Sequence, residues 1–368
     1  MHHPFSGTAL PLRSLLLLAG LSPLSACSSR LPSPGSDGGV GDTTSSSSGG
    51  SGTGTGPGSG GATGSGFSSG SGSSSGDAST DPRASAIAST LANNPSCTAL
   101  PAFYWEIGDA TGALYSGAVG TTYGATTSMA IASASKFVWG AYVVQRFASD
   151  LSQMDASAMR MLDGYTSFVY DSCVLTTSVS KCLAAGNNST VDSTDVGKFY
   201  YDGGDFQNYA VALGLGEDDS AKLATDIKSQ VGTEFAFTYG SPQLAGGIKT
   251  TSADYAAFLR KILSGGLALH DHLGENAVCT LPAVCPAAAS SPSPKAWHYS
   301  YAHWVEDDPN GGDGAFSSPG AFGFYPWIDA TKTYYGILAR YSLDTGAYYQ
   351  SALCGALIRK AFTTAMAQ

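Results

Sequence analysis

The stretch IASASKFVWGAYVVQRF, residues 131–147, places a serine and a lysine three positions apart at the start of an apolar segment. From Phe137 onward the apolar residues recur at helical spacing, which predicts a helix. Residues three apart lie on one face of a helix, so the Ser133 hydroxyl and the Lys136 amine can meet across one turn. Serine is a poor nucleophile until a base removes its proton, and a lysine whose pKa is lowered can be that base. The stretch therefore indicates a nucleophile beside its base.

A second pair with the same spacing, Ser178 and Lys181, lies in a polar segment between two cysteines and has no apolar helix behind it. This context favours the first pair as the functional one. The first pair also fits a purely structural interpretation, in which Ser133 caps the helix and Lys136 is a solvated residue of the first turn. The local pattern alone leaves both interpretations open.

The rest of the domain alternates between strand and helix patterns. Residues 102–120 and 321–343 each alternate apolar and polar positions around a turn, which predicts two hairpins. Helical spacing predicts further helices at residues 219–231, 251–266 and 351–367. In the second of these, Ser252 is the predicted N-terminal cap. Together the patterns predict an α/β (α+β) fold, an antiparallel sheet flanked by helices plus a mainly helical subdomain.

The N-terminal residues predict export. Residues 1–26 form a leucine-rich leader with one arginine, too short to span a membrane. Its ending, Leu-Ser-Ala followed by Cys27, resembles the lipobox of bacterial lipoproteins, which implies cleavage before Cys27 and a lipid on its sulfur. A plain secretory signal with an incidental cysteine is the alternative. Ser28 is not the aspartate of inner-membrane retention, so the resemblance implies a cell-envelope lipoprotein, anchored in the outer membrane if the source is Gram-negative.

Residues 27–81 are almost entirely Gly, Ser, Thr and Pro, and such a segment buries too little apolar surface to fold. We predict that it tethers a folded domain of residues 82–368 to the membrane. The other six cysteines form an even set, which in an exported chain predicts disulfides. Short separations favour Cys173 with Cys182 and Cys279 with Cys285, leaving Cys97 and Cys354 to join the ends of the domain, while the sequence alone leaves all 15 possible pairings open.

Charge and composition exclude several function classes. The formal net charge is −10 and the basic residues are scattered, so we expect no nucleic-acid partner. His270 and His272 flank an aspartate, but no third ligand completes a recognisable metal pattern. We therefore expect no metal and no cofactor. The sequence makes no prediction of the oligomeric state.

Five segments resemble, in order, the serine β-lactamase and penicillin-binding-protein superfamily, most closely its class C and esterase-like branch. They are SMAIASASKFVWGAYVVQ (128–145), MLDGYTSF (161–168), KFYYDGGDFQ (198–207), AGGIKTTSADYAAFLRKILSGG (245–266) and FSSPGAFGFYPWID (316–329). The resemblance extends from about residue 102 to the C-terminal helix. It implies the β-lactamase-like fold and an acyl-enzyme mechanism.

Carried over by position, the resemblance implies that Ser133 is the acylated nucleophile and Lys136 its general base. Tyr201 falls at the tyrosine that relays a proton, with Tyr200 as its rival. Ser318, Pro319 and Gly320 align with the family's third motif. The backbone N–H groups of Ser133 and Ala321 would then form the oxyanion hole.

Two departures from the family pattern bear on the substrate. Gly203 stands where the tyrosine motif usually ends in asparagine, and no lysine, histidine or tryptophan precedes Gly320 in the third motif. The side-chain amide and the cation that would hold a β-lactam or a peptide carboxylate are thus missing from these positions. Arg340 is a possible substitute for the cation, although strand arginines are more often surface residues.

These observations predict an exported, lipid-anchored serine hydrolase that acts on a small-molecule ester or amide. The alternatives are a β-lactamase or a D-Ala-D-Ala peptidase with a cell-wall-derived substrate, and a non-catalytic envelope binding protein with the same fold. Its partners would be that small molecule and the membrane, reached through the lipid anchor.

Overall fold

The computed structural model describes residues 81–368. The predicted signal peptide, the lipidation of Cys27 and all of the predicted tether except Asp81 lie outside the described residues. None of the helices in the described part is long and apolar enough to cross a membrane.

Helices and strands alternate through the described residues. The helices are α1 (Pro82–Asn93), α2 (Pro95–Thr98), α3 (Ser135–Arg146), α4 (Ala156–Met159), α5 (Val179–Leu183), α6 (Gly204–Ala210), α7 (Ser220–Val231), α8 (Ser252–Leu263), α9 (Leu269–His272) and α10 (Ala347–Thr364). The strands are β1 (Phe103–Asp109), β2 (Gly112–Val119), β3 (Met129–Ala130), β4 (Phe199–Tyr200), β5 (Phe237–Tyr239), β6 (Ile248–Thr250), β7 (Val278–Cys279), β8 (Ala288–Ser290), β9 (His298–Tyr299), β10 (Trp304–Glu306), β11 (Ala315–Ser317), β12 (Tyr325–Ile328) and β13 (Tyr334–Ala339).

The main sheet has eight strands in the order β2-β1-β13-β12-β11-β10-β9-β7, and every neighbouring pair is antiparallel. The first hairpin turns where predicted, because the Asp109 side chain accepts a hydrogen bond from the backbone N–H of Thr111 at 2.7 Å. Two smaller sheets, β3-β6-β5 and β4-β8, lie in the central part of the chain.

Helices cover both faces of the main sheet. On one face α1, α2 and α10 pack a compact core that includes Phe103, Trp327 and Phe362. On the other, α3 and α8 belong to a larger core with Trp139, Tyr255 and the inward residues of the sheet. The predicted mixed fold with an antiparallel sheet and flanking helices is confirmed.

The predicted helices form, but α10 spans Ala347–Thr364 instead of the predicted residues 351–367, and the start of α8 needs a correction. The cap is Thr251, whose hydroxyl accepts a hydrogen bond from the backbone N–H of Asp254 at 3.1 Å. Ser252 is instead the first helical residue, and its buried hydroxyl has no hydrogen-bond partner among the described residues. The prediction of Ser252 as the cap is therefore wrong by one position, since two adjacent hydroxyl residues offer the same local signal.

The six cysteines of the domain pair as expected. Cys97 is bonded to Cys354, Cys173 to Cys182 and Cys279 to Cys285. The first bond joins α2 to α10, the two helical ends of the domain, across 257 positions of sequence. The second closes a short loop beside the site described below.

Candidate active site

Ser133 lies between a short strand and the central helix. β3 ends at Ala130, a single turn of 3-10 helix follows over Ala132–Ala134, and α3 begins at Ser135. No side chain caps either helix, so the interpretation of Ser133 as a helix cap is wrong. The serine of the second pair does act as a cap, because the Ser178 hydroxyl accepts a hydrogen bond from the backbone N–H of Lys181 at the start of α5.

Lys136 is fully buried, which excludes its interpretation as a solvated residue of the first turn. Its Nζ lies 2.9 Å from Ser133 Oγ, 3.1 Å from the carbonyl oxygen of Ala245 and 3.3 Å from the Tyr170 hydroxyl. Burial lowers the pKa of Lys136 to about 7, and the Asp202 carboxylate partly opposes this shift. A large fraction of the amine is thus neutral near neutral pH and able to accept a proton.

Tyr201 lies on the same side of the site. Lys136 Nζ is 4.7 Å from the centroid of its ring. Burial raises the pKa of the Tyr201 phenol to about 12, while hydrogen bonding with Ser133 and Trp304 acts in the opposite direction. The phenol is therefore protonated at neutral pH. Tyr200 pairs through its backbone in β4 and does not line the cavity at Ser133.

The predicted third motif meets the serine from the main sheet. The Ser318 hydroxyl donates a hydrogen bond to the carbonyl oxygen of Ser133 at 2.8 Å. A side chain at Gly320 would collide with the carbonyl oxygen of Ile131, so only glycine permits this close approach. Ala321 follows in the wall of the cavity, and its backbone N–H makes no hydrogen bond within residues 81–368. That free donor is available to a bound oxygen atom.

Ser133 opens into a cavity of about 610 Å³. Much of its wall is aromatic, with contributions from Trp297, Trp304, Phe322 and Tyr348. Trp304 stacks on Tyr201 with ring centroids 5.1 Å apart and contacts Trp297 edge to face at 5.9 Å. Such a surface can hold an apolar part of a ligand next to the serine.

Two polar residues of the site were missed by the sequence analysis. Tyr170 lies at Lys136, although no motif points to it. Lys249 lines the same cavity from β6, and its ammonium group has no hydrogen bond or acidic partner among the described residues. Lys249 is exposed in β6 between two buried neighbours, because successive side chains of a strand point to opposite faces of the sheet. This alternation could have identified Lys249 as a residue that faces away from the core.

Arg340 does not supply the missing cation. It is buried and donates hydrogen bonds to Ser351 Oγ at 2.9 Å and to the carbonyl oxygen of Ala347 at 3.1 Å, so it anchors the start of α10. Both sequence interpretations, a substrate cation and a surface residue, are wrong because the α10 helix covers the end of β13. At the other sequence candidates, His270 Nδ1 lies 3.0 Å from the carbonyl oxygen of Ile262 and His272 contacts Glu275.

Comparisons with known proteins support the fold. No protein-family model and no curated protein matches the sequence. Among solved structures, a chain from Bacteroides dorei that is provisionally named a β-lactamase is 19% identical, with a TM-score of 0.50, 76% of this chain covered and 97% of that one. The octameric penicillin-binding protein homologue of Pyrococcus abyssi is 11% identical, with a TM-score of 0.53 and 77% of each chain covered. The simvastatin synthase of Aspergillus terreus is 12% identical, with a TM-score of 0.52, 77% of this chain covered and all of that chain, 100%. The chain thus has the β-lactamase-like fold.

Proposed function

We propose that this protein is a serine hydrolase that forms an acyl-enzyme on Ser133 and releases it with water. The observation that carries the proposal is the buried Lys136 amine at 2.9 Å from the Ser133 hydroxyl, in a cavity large enough for a small molecule. Burial without a directly bound acidic partner favours the neutral amine, the form that a general base requires.

The proposed reaction has two stages. Lys136 Nζ takes the Ser133 proton as Oγ attacks the carbonyl carbon, and the backbone N–H groups of Ser133 and Ala321 stabilise the oxyanion. Tyr201 gives its phenolic proton to the leaving alcohol or amine as the bond between that group and the carbonyl carbon breaks, and Lys136 returns to the Tyr201 oxygen the proton that it took from Ser133. In the second stage a water molecule attacks the acyl carbon and gives a proton to Lys136; the bond between that carbon and Ser133 Oγ then breaks, Oγ takes the proton back, and the carboxylic acid leaves.

An ester or small amide with an apolar part is the preferred substrate. The aromatic wall beside Ser133 offers contact area but few hydrogen-bonding groups, which suits an alkyl or aryl substituent. One protein of similar fold, with a TM-score of 0.51, is described as a hydrolase with promiscuous acyltransferase activity, which fits this chemistry.

A β-lactamase or D-Ala-D-Ala peptidase is the second candidate, and Lys249 is the observation that favours it. A free ammonium group in the cavity can bind the carboxylate that these substrates carry. It offers, from a different strand, the charge that is missing before Gly320.

Lys249→Met separates the two candidates. If the ammonium group binds a substrate carboxylate, the KM for a chromogenic cephalosporin should rise by about 10- to 100-fold, the equivalent of one charge-assisted hydrogen bond. The KM for the neutral ester p-nitrophenyl butyrate should stay within about twofold. Lys360→Met, on the exposed side of α10, removes the same charge elsewhere and serves as the control. Equal effects on both substrates would rule out carboxylate recognition by Lys249.

Fluorophosphonate labelling tests the proposed reaction directly. The domain from residue 82 onward is treated with the reagent, its intact mass is measured, and the adduct is located by peptide digestion. We expect one adduct per chain, on Ser133. A folded domain without an adduct would favour the alternative of a non-catalytic binding protein with this fold.

We further propose that the protein is an exported lipoprotein of the outer membrane, anchored through Cys27. The support is the sequence of residues 1–27 alone. In detergent phase separation the full-length protein should enter the detergent phase, and its mass should include the lipid. A Cys27→Ala variant should remain in the aqueous phase; detergent partitioning of this variant equal to that of the unaltered protein would contradict the anchor.

A further inference from the structure

We propose that Tyr170 is a second phenol of this site, which aims the lone pair of Lys136 at Ser133 and presents its own O–H to the acyl part of the substrate. This inference rests on the proposed function and adds a residue that the family-like motifs do not contain. Its basis is the set of contacts around Lys136, the space around Gly203 and the loop that holds Tyr170.

The contacts of Lys136 match the hydrogen-bonding capacity of a neutral amine. A neutral lysine has two N–H donors and one lone pair, so it can satisfy three partners if one of them donates. The carbonyl oxygen of Ala245 accepts the first N–H at 3.1 Å, and the Tyr170 oxygen accepts the second at 3.3 Å. The lone pair is then left for the Ser133 hydroxyl at 2.9 Å. Without Tyr170, only one acceptor, the carbonyl oxygen of Ala245, would remain for the two N–H groups. Rotation about the terminal C–N bond of Lys136 would then be less restricted.

The missing asparagine and the presence of Tyr170 have a common cause in packing. A side chain at Gly203 would begin 2.9 Å from a ring carbon of Phe168 and 3.2 Å from the side chain of Ala245. Distances this short leave no room for an amide. Phe168 in turn packs edge to face against Tyr170, with ring centroids 5.1 Å apart. The loop therefore fills the space beside Gly203 and brings a phenol to the lysine.

The loop is held firmly enough for a positioning role. The Gln243 side chain donates a hydrogen bond to the carbonyl oxygen of Tyr170 at 3.0 Å. Three residues further on, the disulfide of Cys173 closes the loop, and the Asn188 amide donates to the carbonyl oxygen of Cys182 at 2.9 Å. These contacts hold the backbone at Tyr170 and on its C-terminal side.

The O–H group of Tyr170 indicates which hydrogen-bonding group the substrate should carry. Burial raises the pKa of the phenol well above its usual value, so the O–H remains protonated. The oxygen accepts from Lys136, and the O–H finds no acceptor within residues 81–368, although the ring lines the cavity. The matching ligand group is a hydrogen-bond acceptor on the acyl side, such as the carbonyl oxygen of an amide or a second ester.

The experiment compares the pH dependence of fluorophosphonate labelling in the unaltered protein and in Tyr170→Phe. For the unaltered protein the rate should rise with pH around a midpoint of about 7, as Lys136 loses its proton. In Tyr170→Phe the rate at the alkaline plateau should fall by about 10- to 100-fold, because the amine is no longer aimed at Ser133. The midpoint should also move to lower pH, since an acceptor that favours the ammonium form has been removed.

Tyr209→Phe is the matched control, because that buried phenol accepts one backbone hydrogen bond, from Asp155 at 2.9 Å, and does not line the cavity. It should lose stability without a change in midpoint.

If Tyr170→Phe does not fold, 3-fluorotyrosine at position 170 keeps the shape and weakens the acceptor, so the midpoint should again move to lower pH. A Tyr170→Phe profile that matches the unaltered protein or Tyr209→Phe overturns the inference and leaves the proposed hydrolase intact. Absence of labelling in the unaltered protein would overturn both.

Discussion

Ser133→Ala should reduce acylation by at least about 10⁴-fold, because it removes the atom that forms the covalent bond. The expected cost in stability is small. The Ser133 hydroxyl caps no helix and its hydrogen bonds within the described residues are with the side chains of Lys136 and Tyr201, so about 1 kcal/mol or less of unfolding free energy should be lost. Fluorophosphonate labelling read by intact mass and a urea unfolding curve measure the two effects on the same sample.

Ser135→Ala is the control for this prediction, since it lies in the same motif but has a structural role. Its buried hydroxyl accepts the backbone N–H of Ile248 at 3.1 Å. Removing it leaves that donor unpaired, so Ser135→Ala should lose roughly 1–3 kcal/mol while retaining the adduct. An adduct that persists in Ser133→Ala would place the nucleophile elsewhere, and unfolding of this variant would show that the serine has a structural role.

Arg359→Met should strongly destabilise the domain while leaving Ser133 untouched. Arg359 is 2% exposed and donates to Glu306 at 2.7 Å, to Asp313 at 2.7 and 2.8 Å, and to the Tyr325 hydroxyl at 2.8 Å. Its loss leaves the Glu306 carboxylate, itself 3% exposed, without its cation. The unfolding free energy should fall by about 3–5 kcal/mol, measured by urea denaturation.

A double variant shows whether the uncompensated charge is the cause. Arg359→Met combined with Glu306→Gln removes both charges and should recover a large part of the loss, because a neutral amide is far less costly to bury than a carboxylate. Lys198→Met breaks a partly exposed pair with Asp195 at 3.3 Å and should cost less than about 1 kcal/mol. If the double variant is as unstable as Arg359→Met, lost packing and hydrogen bonds explain the effect instead of the buried charge.

The local sequence was sufficient to predict the parts of the fold that depend on local forces. The hairpin of β1 and β2 follows from alternation and from an aspartate at the turn, and α3, α7, α8 and α10 follow from helical spacing with recognisable ends. The expectation that Ser133, Lys136 and Tyr201 lie together came instead from the resemblance of five segments to a known family. Where two adjacent residues carried equal signals, as Thr251 and Ser252 do, the sequence could not choose between them.

The sequence by itself determined the type of fold and the one-turn separation of Ser133 and Lys136, because apolar spacing and turn residues act within a few positions of the chain. Only the tertiary structure decided the chemical state of the site. The burial that lowers the pKa of Lys136, the phenol of Tyr170 and the cation of Lys249 come from segments up to 116 positions away from Ser133 in the chain. Desolvation and side-chain contact depend on which atoms the folded chain brings within a few ångströms, and no local pattern specifies that.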